Sequence, residues 1–236
     1  NGPEGLLPLL GAVSFPVLSG NLDVTQDPTL NGRVADTVVL DVNGIPVGIV
    51  SALTRDTMEI SSPGDSVIFQ EEIDALQGDV DALTEQGVDI IIALTHVGLP
   101  ADIRIAEAVT GIDVIVGGHS HSYLSQDDPD RDGPYPLWIT NPEGVMVPIV
   151  HAYAYSKYLG ELEVTFDDDG NVIYAEGNTI LLDASVTPDE GIAGRVAELA
   201  GPIQEAMSEP VGETTDFIEG DRTVCRAMEC SMGALV

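Results

Sequence analysis

The chain has 236 residues, with 8 Lys plus Arg against 40 Asp plus Glu, a formal net charge of −32 and 44% apolar residues. That charge lies far outside the magnitude of roughly 2–8 usual for a small soluble domain and argues against binding duplex nucleic acid or an anionic membrane, while the apolar fraction excludes a disordered chain. No apolar run reaches the roughly 20 residues of a membrane span.

The acids are scattered rather than gathered in a tail, and Lys157 is the only lysine. This is the pattern of adaptation to high salt, where a Debye length of about 3 Å at 1 M screens self-repulsion. Asn1 to Leu10 lacks the basic region and long apolar core of a signal peptide. It reads as the interior of a longer polypeptide.

In chain order, Pro3 to Leu10 suggests a short helix and Phe15 to Leu18 a short strand. Thr37 to Val42, Asn43-Gly44 and Ile45 to Val50 form a hairpin, because Asn-Gly supplies the positive φ angles of a type I′ turn. Residues 70–86 carry Ile73, Leu76, Val80 and Leu83 on one helical face. Val88 to Leu94 is a β-branched run suited to a strand buried on both faces. A helix follows from about Pro100, with Ile103, Ala106, Ala108 and Val109 as its apolar stripe and Gly111 closing it. A second buried strand, Ile112 to Val116, then enters Gly117-Gly118-His119-Ser120-His121.

A strand, helix and strand in this order make a parallel pair whose neighbours lie about 4.8 Å apart. His96, two residues past the first strand, and His119 and His121, just past the second, then emerge at the same carboxyl edge, where open α/β sheets bind ligands. The two glycines let the backbone bend and bring the imidazoles together. Neutral imidazole is a ligand for zinc, manganese or iron, so the pattern is that of a metal site. His151 lies inside an apolar run and reads instead as a hydrogen-bonded structural residue.

Residues 126–133 form an Asp-rich loop, but without the ligand spacing and closing Glu of an EF-hand. Strands are expected around Leu137–Thr140, Val145–Ala152, Leu159–Phe166 and Val172–Leu182, a change from parallel to antiparallel pairing that two packed sheets accommodate. A helix opens at Thr187-Pro188-Asp189-Glu190 and runs to about Met207, with Pro210 stopping it and Val211 to Glu219 following as a strand. Asn21 either lines the metal edge or caps a turn. Cys225 and Cys230 lack the second Cys or His pair of a zinc site, which favours a local disulfide and an oxidising compartment: periplasm, cell surface or medium.

Leu-Thr-His-Val-Gly around His96, the Gly-Gly-His-Ser-His run, Val147 to Gly160 and Cys-Arg-x-x-Glu-Cys-x-Met-Gly, in this order, resemble the 5′-nucleotidases of the calcineurin-like metallophosphoesterases. The resemblance implies a four-layer α/β/β/α sandwich, present in part, over 1–185, a linker helix over 186–210, and the start of a C-terminal substrate domain over 211–236. It implies hydrolysis of nucleoside 5′-monophosphates with two divalent metals (Zn, Mn or similar). His96 and His119 would hold one ion and His121 the other, with Arg226 contacting substrate. Relatives often carry Gln or Asn at the position of His121, and an amide at that of His151. They carry Asp-x-His, a bridging Asp and Gly-Asn-His before the region matched here, so this chain alone is expected to be inactive. A 2′,3′-cyclic nucleotide phosphodiesterase, a nucleotide-sugar hydrolase, a sulfur-oxidation relative and a non-catalytic secreted scaffold or binding module stay open.

Overall fold

The computed structural model describes residues 2–210 and 212–235, which divide into two compact units, 1–183 and 184–236. In the first unit a 3-10 turn over Pro3–Leu6 leads into α1 (Leu7–Ala12). There follow β1 (Leu22–Asp23), β2 (Thr37–Val42), β3 (Ile45–Leu53), α2 (Thr57–Ile60), β4 (Ile68–Phe69) and α3 (Glu72–Glu85). Then come β5 (Ile90–His96), α4 (Leu99–Ala108), β6 (Val114–Val116), β7 (Leu137–Thr140), β8 (Met146–Val150), β9 (Tyr158–Phe166) and β10 (Val172–Leu181).

Six strands form the main sheet in the order β2-β3-β5-β6-β8-β7. The pairs β3–β5, β5–β6 and β6–β8 are parallel, and the edge strands β2 and β7 are antiparallel. This is a mixed α/β fold around a central sheet, as the resemblance implied. The hairpin at Asn43-Gly44 forms as expected, with φ of 56° and 88° at its two central residues. The Asp41 carboxylate accepts from the Gly44 amide at 2.9 Å and fixes the turn.

One face of the sheet carries α3 and α4. Val50, Ala52, Ile91, Ala93, Ile115, Val147 and Ile149 point to Leu76, Val80 and Leu83 of α3 and to Ile105 and Ala106 of α4. Each fully buried Leu or Ile contributes roughly 1.5–3 kcal/mol. The N-terminus of α3 is capped by Glu71, whose side chain accepts from the Ile73 amide at 2.9 Å.

Besides the short antiparallel pair β1–β4, a further two-stranded sheet, the hairpin β9–β10, lies over the opposite face. It packs through Leu162 against Val150, Leu124 and Tyr135. Beyond it Leu40, Leu94 and Val116 are 42%, 52% and 37% exposed, a partly uncovered apolar sheet face.

Several expectations shift. The 88–94 strand lies two residues later, so His96 is the last residue of β5, paired with Leu53, rather than a loop residue. Phe15 to Leu18 forms no strand but a single bridge from Leu18 to Ala35, and Phe15 is exposed. The buried stripe of α4 is Asp102, Ile105 and Ala106, not Ile103 with Ala108. Periodicity of apolar residues misses it because Asp102 is drawn inward by polar partners, Thr95 and His151.

In the second unit α5 (Glu190–Met207) is capped by Asp189, which accepts from the Ile192 amide at 2.9 Å. Residues 212–219 are irregular, not the expected strand. Their polar side chains hydrogen-bond locally, as Thr214 does to the Asp216 carbonyl at 2.8 Å, and no strand of this unit pairs with them among the described residues. A short helix, α6 (Arg222–Cys225), leads to a disulfide between Cys225 and Cys230, as the spacing predicted.

Candidate metal centre

The carboxyl edge of the main sheet positions the three candidate ligands. His96 ends β5, and β6 ends at Val116 just before Gly117-Gly118-His119-Ser120-His121. His119 and His121 have φ of 84° and 57°, left-handed conformations that cost a non-glycine residue about 1–3 kcal/mol and concentrate at functional sites. The turn is tied to the start of α4 by the Leu99 amide, which donates to the Ser120 hydroxyl at 3.0 Å.

The rings of His96 and His119 meet edge to face with centroids 5.2 Å apart. The ring of His121 lies 5.2 Å from that of Tyr155, also edge to face. Burial holds the His96 imidazole below the ordinary histidine range, with His119 and His121 adding to the effect and Asp102 opposing it. Its neutral form, the one that binds metal, is therefore favoured near pH 7. His119 Nε2 also stands 3.7 Å from Asp56 Oδ2, a carboxylate that sequence spacing gave no reason to place here.

Two imidazoles thus fit a divalent transition metal. Among the described residues, no three of His, Cys, Asp and Glu converge into a closed ligand set. Gly118 admits the pair, since a Cβ built on it would stand 3.1 Å from His96 Nδ1.

Beneath the edge lies a buried polar chain. The Thr95 hydroxyl donates to Asp102 Oδ1 at 2.6 Å, and His151 Nε2 meets Asp102 Oδ2 at 2.7 Å. His151 is therefore the hydrogen-bonded core residue expected from its setting. Its partner was not legible, being 49 residues away. The signal for it was Asp102 itself, four residues before Ala106 and so on the core-facing side of α4.

Asn21 is fully buried and ties backbone together, donating to the Leu53 carbonyl at 2.9 Å and accepting from the Leu53 amide at 2.8 Å. In the 126–133 loop, the Tyr123 hydroxyl donates to Asp128 at 2.8 Å and the Tyr123 amide to Asp132 at 2.7 Å. Arg226 is exposed in the second unit, next to disulfide-bonded Cys225.

The likeness to known proteins runs over the whole chain. A 5′-nucleotidase of Diplobatis ommata is 44% identical over 243 residues, which take in 100% of this chain and 42% of that protein. The likeness is to the 5′-nucleotidases. A snake venom 5′-nucleotidase of Naja atra is 39% identical over 244 residues, again the whole chain and 46% of that protein. The solved structure of a 5′-nucleotidase precursor from Thermus thermophilus superposes with a TM-score of 0.87 at 36% identity, covering 99% of this chain and 47% of that one. No family model matches the chain. It spans less than half the length of these relatives.

Proposed function

We propose that the protein carrying this chain is a metal-dependent phosphoester hydrolase that releases phosphate from nucleoside 5′-monophosphates. The observation that carries this reading is the meeting of His96 and His119 at the carboxyl edge of a parallel sheet, in a chain so similar to 5′-nucleotidases. His96, His119 and His121 are the residues that would hold divalent ions such as zinc or manganese. Bound there, a pair of such ions supplies Lewis acidity for the phosphoryl oxygens and a nucleophile at neutral pH.

The chain's own part is placement. Parallel strands β5 and β6 bring His96 and His119 side by side, and the left-handed backbone at His119 and His121 sets the direction of both side chains. Arg226, by its planar guanidinium, suits a phosphate or carboxylate of the substrate. In this reading residues 186–210 are a linker and 211–236 open a substrate domain. The disulfide and the venom relative support an extracellular, cell-surface or periplasmic setting.

The test is phosphate release by the complete gene product from AMP, a 2′,3′-cyclic nucleotide and a nucleotide sugar, with and without a chelator. Chelator-sensitive release with AMP preferred is expected. Preference for either other substrate moves the assignment within the same chemistry. Inactivity on all three after metal loading contradicts it and favours a scaffold.

A further inference from the structure

We propose that Asp102 and His151 are positioning residues, a buried strut that fixes where His96 and His119 leave the sheet. The inference rests on the metal reading of those two histidines. Thr95, Asp102 and His151 are 5%, 0% and 3% exposed, and together they join three elements. Thr95 precedes His96 in β5, Asp102 lies in the first turn of α4, and His151 follows β8.

Both oxygens of Asp102 are engaged, one by Thr95 and the other by His151. An ionised carboxylate only accepts, so with Asp102 in that form the Thr95 hydroxyl and a protonated His151 Nε2 are its donors. The pair also forms the floor of the histidine turn. A Cβ built on Gly117 would lie 2.2 Å from Asp102 Oδ2 and 2.2 Å from His151 Nε2. The Gly117 amide donates in turn to the Val150 carbonyl at 3.0 Å, next to His151. The backbone two residues before His119 therefore rests on the strut, and the residue just before His96 is hydrogen-bonded to it through its side chain.

Stability alone is a weak reason for such a group. Burying an ionisable pair costs several kcal/mol per charge, and apolar replacements of similar volume often fold as well or better. What a satisfied polar chain supplies is a fixed geometry across β5, α4 and the end of β8, the elements that carry or flank the imidazoles. Outer groups that orient metal ligands are typically worth about 10–100-fold in metal affinity.

The experiment compares the complete protein with His151→Leu, His151→Gln and Asp102→Leu. Cobalt affinity is measured by competition with a chelator, the d–d absorption band of the cobalt form reports ligand geometry, and thermal unfolding of the metal-free protein is recorded separately. Leu cannot hydrogen-bond to Asp102, whereas the Gln amide can donate to it. Expected is a loss of about 10–100-fold in cobalt affinity with a changed band for His151→Leu, and return to the parent's affinity and band for His151→Gln. Asp102→Leu, which cannot accept from either Thr95 or His151, should resemble His151→Leu, and serves as the readout if that variant does not fold. Unchanged affinity and band in either folded Leu variant overturns the proposal, whatever happens to the unfolding temperature. Equal losses for Gln and Leu also overturn it. If the parent binds no cobalt, the metal reading itself falls, an outcome distinct from both.

Discussion

Gly118 faces His96 at the sheet edge so closely that a Cβ on the glycine would stand 3.1 Å from Nδ1 of the imidazole. Its neighbour Gly117 faces the other way, toward Asp102 and His151, with only 2.2 Å to each. Two consecutive glycines thus serve two different walls, one lined by a candidate ligand and one by the buried strut.

The two positions should therefore respond differently to Ala. Gly117→Ala forces a methyl into closely packed polar atoms and should cost about 1–3 kcal/mol, lowering the unfolding temperature by several degrees. Gly118→Ala needs His96 to give by only a few tenths of an ångström. It should leave the unfolding temperature of the metal-free protein nearly unchanged while weakening metal binding. Calorimetry and metal titration on both variants check this; a reversed pattern contradicts the geometry.

Stability should fall as pH rises from about 4 to about 7. Burial pushes the Asp113 carboxyl up to about 7, with Asp89 adding to the shift and the Ile91 amide, which donates to it at 2.7 Å, opposing it. Burial and Asp36 push Asp79 up to about 6. An acid whose folded pKa exceeds its unfolded value takes up protons on folding. Its contribution is complete below the unfolded pKa and is lost as pH climbs through the folded one. Asp113→Asn should flatten this decline and be more stable than the parent at about pH 8. Denaturant unfolding across the range tests it, and an equal slope in the variant contradicts it.

Salt should stabilise the protein. The net charge of −32 repels itself over a Debye length of about 10 Å at 0.1 M but only about 3 Å at 1 M. A rise of several degrees in unfolding temperature between those concentrations of potassium chloride is expected. A steady fall would rule out the high-salt reading.

What the sequence made legible was local. Asn43-Gly44 declared its hairpin because only a few residue types accept positive φ there, and α3 showed through the spacing of Leu76, Val80 and Leu83. The histidine edge was visible because a parallel pair brings the ends of β5 and β6 together whatever lies between them. Contacts across long separations were hidden. Apolar spacing did not single out Asp102, whose partner His151 lies 49 residues away, and Asp56 reached His119 from α2's start without any pattern to announce it. Val211 to Glu219 misled in the opposite sense. Val211 lies outside the described residues, and from 212 onward no strand among those described pairs with the stretch, whose last residue, Glu219, bonds instead to Ser231 and to the Met232 amide.

The central claim is that His96, His119 and His121 hold divalent metal, and metal content tests it most directly. The complete protein, loaded with zinc or manganese and freed of excess, should retain two ions per chain by elemental analysis. His119→Ala should retain fewer, while its unfolding temperature in chelator matches that of the parent. No retained metal in the parent, or equal retention in parent and variant, would contradict the account.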